Sequence, residues 1–321
     1  MEIDEKSLLK FIIRDINKKL TYEEILAKYE LTDVQLEGLL QMLELEGYEF
    51  TKDEGLLVRL NNSHKEKKLK PSIDSLEHLQ VCIVSDTHMG NKLEQRTLLH
   101  RIYDEAEKRG ITTVLHCGDV VDGDYRNKRP AHPYDLFAQG ASQQLYNVIE
   151  NYPQRDGITT FFITGSHDNT HYLNGGFNIG EAISMLRPDM KYLGPDQAMF
   201  MLDGKVSIML KHPGGGVSKS LSYKPQEAIN KMEGEKPKVL LIGHYHKSYC
   251  MYYNEIYTIL TPCLTDQTQF MKMNDLQNVV GAVFLDLYVD KKGNIEYFNY
   301  DEVRFTDKDV IKNDYLRKVK K

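Results

Sequence analysis

Apolar, β-branched runs that stop abruptly at small clusters of Asp, His and Gly constrain this chain more than any other feature. Four runs, Leu79 to Ser85, Ile111 to Cys117, Ile158 to Thr164 and Val206 to Lys211, lead directly into Asp86-Thr87-His88, Gly118-Asp119, Gly165-Ser166-His167-Asp168 and His212. A fifth, Val239 to Ile242, leads into Gly243-His244-Tyr245-His246. Runs of that length bounded by glycine or polar residues read as buried strands, and the helical stretch Leu93 to Arg109 between two of them predicts βαβ units. Ligands in open α/β sheets gather outside the carboxyl ends of the strands, so groups far apart in sequence are expected to meet in one cleft.

Taken singly, an Asp-x-His or a Gly-Asp pair is ordinary turn or cap chemistry. Gly-His-x-His says more, because two histidines at i and i+2 reach one place only if the chain leaves its regular pleat, which Gly243 permits. In this order the five motifs resemble the calcineurin-like metallophosphoesterase superfamily, whose pattern runs D-x-H, G-D, G-N-H-D/E, H and G-H-x-H, and the resemblance spans residues 79 to 300. It implies two facing mixed β-sheets flanked by helices, an α/β sandwich. It also implies that Asp86, His88 and His246 hold one metal, that His212 and His244 hold another, and that Asp119 bridges both through its two oxygens. His167 would stand beside the metals as acid or electrostatic partner of a phosphate, with Asp168 orienting its ring. Ser166 departs from the pattern: it stands where the family has Asn, a ligand of the second metal. A hydroxyl is shorter and a poorer ligand than an amide carbonyl, so a weaker second site is expected, with Asn169 as a substitute.

Such a residue set suits phosphodiester hydrolysis. Two divalent ions about 4 Å apart make a nucleophile at neutral pH and clamp the phosphate oxygens. Mixed Asp, His and amide ligands favour Mn, with Fe, Zn and Ni as the other candidates. No cysteine falls in the motifs, which excludes a structural zinc knot built from them. Ser85 to Gly90 and Gly118 to Gly123 look like the matching segments of DNA exonucleases in the superfamily, the double-strand-break repair nuclease and the small subunit of archaeal D-family polymerase; Thr265 to Phe270 is similar to the latter. These imply a DNA nuclease. The alternatives are hydrolysis of a cyclic or small nucleotide diester, and a catalytically weakened regulatory or binding subunit.

The 321 residues, 41% hydrophobic, suffice for one large domain over residues 79–321 and a small one over residues 1–60, joined by a lysine-rich linker over residues 61–78. No apolar run has membrane-spanning length and the acidic start lacks a secretory signal, so a cytoplasmic protein with reduced cysteines is expected. In the small domain Leu8, Leu9, Ile12, Ile13 and Ile16 mark a helix face, and Thr21 with Glu24 and Thr32 with Gln35 read as capping boxes of two more helices. Tyr48 to Thr51 and Leu56 to Leu60, around the turn Asp53-Glu54-Gly55, complete a winged helix-turn-helix-like pattern. Its charge argues against DNA. Residues 1 to 60 hold eight Lys or Arg against fourteen Asp or Glu, a net of −6, and the third helix has no basic residue. Self-association or docking of a protein partner is expected instead.

Substrate recognition is expected from the loop Asp122 to Tyr134, where Arg126, Lys128 and Arg129 alternate with Tyr125 and Tyr134 directly after a metal motif. His132 and His171 are candidate substrate contacts by their proximity to motif loops, with a purely structural role as the leading alternative; His116 reads as a packed strand residue, and His64, His78 and His100 as exposed. The basic tail, Leu316 to Lys321, reads as a solvated terminus.

Overall fold

The computed structural model describes residues 5–45, 48–53, 55–60 and 72–317, which fall into two compact units, Met1–Pro71 and Ser72–Lys321. The first contains α1 (Glu5–Asn17), α2 (Tyr22–Tyr29), α3 (Asp33–Leu45), β1 (Glu49–Asp53) and β2 (Leu56–Leu60). Both capping boxes form: Thr21 and Glu24 each accept the other's backbone N–H, as do Thr32 and Gln35. Each cap contributes about 1 kcal/mol by satisfying amides that the helix leaves bare. Ile12 and Ile16, Ile25, and Leu36 and Leu43 from the three helices close the core. Asp53 pairs with Leu56, so the hairpin loop has two residues rather than the expected three. Gly55 takes the positive φ of 85° that such loops favour, while Glu54 lies outside the described residues.

The second unit runs β3 (Glu77–Val84), α4 (Arg96–Lys108), β4 (Thr113–His116), α5 (Gly140–Asn151), β5 (Thr159–Thr164), α6 (Asn169–Gly175), α7 (Ile179–Leu186), β6 (Met190–Pro195), β7 (Gln197–Leu202) and β8 (Val206–Lys211). It continues with α8 (Tyr223–Asn230), β9 (Val239–Ile242), β10 (Tyr249–Tyr253), β11 (Ile256–Leu260), α9 (Gln269–Met273), β12 (Val280–Val289) and β13 (Ile295–Phe305). One sheet has the order β13-β12-β3-β4-β5-β6, parallel from β3 to β6; the other has the order β10-β11-β9-β8-β7, with β8, β9 and β11 parallel. Alternation along each strand sorts the side chains into layers. Val81, Ile83, Leu115 and Ile163 of the first sheet pack against Ile208, Leu210, Leu241 and Ile259 of the second. Cys82, Val84, Val114 and Phe162 face the other way, under Leu98, Ile102, Val148 and Ile183 of α4, α5 and α7. Leu240 and Ile242 pack with Ile229 of α8. The result is the expected sandwich of two mixed sheets between helices.

The structure moves two further readings. Residues 72–78, expected in the linker, hold a short 3-10 turn at Ile73–Ser75 and the first two residues of β3, whose Glu77 and His78 pair with Val289 and Tyr288. The rest of that linker and His64 lie outside the described residues. His100 is buried, not exposed, because its ring caps the Asn151 carbonyl at 3.0 Å. His78 is exposed as expected. Cys82, Cys117, Cys250 and Cys263 are free thiols, and no helix of the described residues is long and apolar enough to cross a membrane.

Asp15 of α1 is a buried anion in the first unit, accepting from Lys28 Nζ at 2.6 Å and Tyr29 OH at 2.5 Å. Burial alone would raise its pKa, but Lys28, Tyr29 and Arg14 draw it down from 3.8 to about 2. A carboxyl depressed on folding adds stability above its unfolded pKa and loses it as pH falls through the folded one, here between 3.8 and about 2. Asp15→Asn should therefore weaken hydrogen-exchange protection of α1 and α2 near neutral pH, with the difference from wild type closing in acid. A difference that stays constant down to about pH 2 would contradict this linkage.

Candidate metal centre

Strand ends deliver the site. The loop after β3 carries Asp86 and His88, that after β4 Asp119, that after β5 Ser166 and His167, that after β8 His212, and that after β9 His244 and His246. Five of these residues are left-handed: Asp86 (φ 50°), His88 (45°), Asp119 (55°), His244 (77°) and His246 (52°). That conformation costs a non-glycine residue roughly 1–2 kcal/mol, so the surrounding bonds must hold each of them there. Asp86 N–H donates to Gly118 O at 3.0 Å and His88 N–H to Asp119 O at 3.1 Å, lacing the first two loops together. Gly118 and Gly165 leave room for the His212 ring, which would lie 2.5 Å and 2.6 Å from a Cβ at either position.

Two ligand triads result. In the first, His246 Nε2 lies 3.2 Å from both Asp86 Oδ1 and His88 Nε2. In the second, Asp119 Oδ2 lies 3.0 Å from His212 Nε2, and His244 completes the group. The same Asp119 Oδ2 is 4.0 Å from His88 Nε2, so this carboxylate faces both triads. Ser166 Oγ sits 3.5 Å from it, at the edge of the second triad. Asn169 does not substitute: its carbonyl accepts from Thr164 Oγ1 and its amide donates to Asp196.

These residues fit metal ions by their chemistry. His88 Nδ1–H donates to Asp122 at 2.9 Å, His212 Nδ1–H to Cys117 O at 2.7 Å, and His244 Nε2–H to Gly215 O at 2.7 Å. Each bond fixes the tautomer and leaves the other nitrogen bare, as outer partners of metal-bound imidazoles do. His212 Nε2 is buried 3.0 Å from the Asp119 carboxylate but is not aligned for a hydrogen bond to it. Buried lone pairs that converge on two carboxylates call for a cation. Burial works to raise Asp86 and Asp119, but His246 and His212 at the one and His212 and His167 at the other hold both well below the usual carboxylate range. Burial opposes protonation of His212, yet Asp119 and Asp86 carry its pKa up to about 9, another sign that the pocket is short of positive charge.

One assigned role is corrected, and one residue was missed. Asp168 does not orient His167. Its carboxylate accepts backbone N–H from Val120 (3.1 Å), Val121 (2.8 Å) and Gly165 (2.9 Å), clamping the loop after β4 to that after β5. Asp122 orients the ring instead: His167 Nδ1–H donates to its carbonyl at 2.7 Å and lies 3.5 Å from its carboxylate. The same carboxylate accepts from His88, Asn91 and His132, so one side chain positions a candidate metal ligand and His167 together. Its place three residues after Asp119 was the available signal. His132 and His171 are buried and bonded to Asp122 and Gln144; His132 also lines the cleft beside the triads. His116 is packed as expected, accepting from Gly118 N–H and facing Thr87 Oγ1 at 3.1 Å.

The triads open onto a cleft of about 540 Å³, walled by Tyr125, Lys128, Arg129 and Phe270. Against known families, residues 79–269 match the model of the calcineurin-like phosphoesterase superfamily domain. The chain belongs to that superfamily. Similar solved structures include an archaeal phosphodiesterase, with 13% identity over 71% of this chain and 100% of that one at a TM-score of 0.42. Vacuolar protein sorting 29 from Cryptosporidium parvum matches with 14% identity over 71% and 98% at 0.36. A 5'-nucleotidase precursor from Thermus thermophilus matches with 13% over 74% and 57% at 0.39. No curated protein matches the chain.

As a calcineurin-like phosphoesterase whose triads share Asp119, the protein should lose both ions when that residue becomes Ala. His212→Ala should mainly empty the second site. Metal analysis of the two variants checks this; two ions kept without Asp119 would refute the shared carboxylate.

Proposed function

We propose that the protein is a metal-dependent phosphodiesterase acting on DNA as a nuclease, with Mn as its favoured ion. The observation that carries this reading is the shared Asp119 between two triads, with His167 beside them and a basic, aromatic wall above. Divalent ions bound there supply a nucleophile at neutral pH and neutralise charge on the phosphate. The chain's own residues do the rest. Burial works against a charged His167, but Asp119 and Asp122 raise its pKa above the ordinary value and so favour the charged ring. In the charged ring, with Nδ1–H fixed on Asp122, the proton on Nε2 is the one available to a phosphate or leaving oxygen. Asp168 acts at one remove, holding the loop that carries Asp119 against the one that carries His167.

A diester bearing bases suits the wall, because Lys128 can meet a phosphate while Tyr125, Arg129 and Phe270 offer flat faces. The first unit serves protein contact in this reading: its net charge repels phosphate, and α3 exposes Val34 and Leu45 beside Glu44.

Two measurements follow. His167→Ala should keep its metals while turnover of a model diester and of labelled DNA falls by about 10² or more; full activity in the metal-loaded variant would remove His167 from the chemistry. Deleting residues 1–60 should leave DNA affinity intact at moderate salt and change the assembly state seen by light scattering. An unchanged assembly with most DNA affinity lost would reverse the assignment of this unit.

A further inference from the structure

A line of planar groups runs outward from the metal ligands. The His88 and His167 rings meet edge to face at 4.5 Å, and His167 meets Tyr125 at 4.6 Å. The Arg129 guanidinium lies 4.4 Å from the centre of the Tyr125 ring and 4.8 Å from that of Phe270. Tyr125 is fixed at the inner end, its hydroxyl donating to Ser166 O at 3.0 Å. Phe270, on α9, is 45% exposed at the outer end. Two separate segments, the loop after β4 and α9, are thus brought together by one cation between two rings.

Arg129 is unusual for a guanidinium at the mouth of an acidic site. Among the described residues it makes no ion pair, and rings rather than carboxylates surround it. The neighbouring Lys128 is exposed on the same wall, with no carboxylate partner among the described residues. A lone exposed aromatic needs no explanation. A half-exposed ring at the outer end of a line of planar groups that begins at the reacting centre does, because its open face is a platform for another flat group.

We infer that Tyr125, Arg129 and Phe270 form a nucleobase site, on which the base next to the scissile phosphate stacks, with Lys128 receiving the following phosphate. This rests on the phosphodiesterase reading and specifies its substrate class: a diester carrying a nucleoside, in preference to a simple alkyl diester. The site reads a π face, not a hydrogen-bonding edge, so it should tolerate any base.

The test compares two diesters with the same leaving group, thymidine p-nitrophenyl phosphate and methyl p-nitrophenyl phosphate, on the metal-loaded full chain. Wild type should prefer the thymidine ester in kcat/KM. Phe270→Ala should reduce that preference about tenfold, mainly through KM, Phe270→Trp should restore it, and Arg129→Lys, which loses the flat cation, should reduce it too. A preference unchanged in Phe270→Ala would overturn the base site. A second readout needs no turnover: fluorescence of an aminopurine dinucleotide should be quenched by wild type and much less by Phe270→Ala. If wild type cleaves neither ester with any divalent metal but quenches in this pattern, the hydrolytic reading fails and the base site stands. Absence of quenching by wild type overturns the site itself.

Discussion

One buried carboxylate holds the site together. Asp119 Oδ1 accepts the His167 backbone N–H at 2.7 Å, and Oδ2 faces His212 at 3.0 Å and His88 at 4.0 Å. Its backbone carbonyl takes the His88 N–H. A buried anion without compensation costs several kcal/mol, and Asp86 adds a second negative charge nearby. Imidazoles alone answer this only by taking up protons, which is why His212 is drawn to about 9. Divalent cations answer it better and free the ring nitrogens to bind them.

The sandwich makes that concentration of charge tolerable. Its strands end on one edge with their positions set by ladders and by apolar layers on both faces, so the loops leave from fixed points. Left-handed turns at five ligands then bend the chain inward, and the strain is held by bonds between loops rather than within them. Asp168 and Asp122 supply two of those ties, one to backbone amides and one to imidazoles. Neither needs to touch a phosphate to matter.

Much of this was legible in the sequence because apolar runs bounded by polar clusters mark buried strands locally. Val206–Lys211 and Val239–Ile242 coincide with their expected limits, and both capping boxes follow from residues three apart. The Asp86, His88 and His246 triad and its counterpart around Asp119 follow from strand ends meeting at one edge. What was hidden depends on partners distant in the chain. The beginning of α4 at Arg96 rather than Leu93 is set by Asp314, which takes the Thr97 amide at 2.7 Å. The burial of His100 depends on the end of α5. Asp122 rather than Asp168 orients His167, because adjacency in a motif does not say which way a side chain turns once the backbone enters a helix. The partnership of Phe270 with Arg129 likewise joins segments more than a hundred residues apart.

The central claim, that Asp119 joins two metal sites into one centre, is tested most directly by electron paramagnetic resonance of the wild-type protein titrated with Mn²⁺. The account predicts two ions per chain at saturation and an exchange-coupled spectrum from a pair sharing a carboxylate. One ion per chain, or two that give only the spectrum of isolated Mn²⁺, would contradict it.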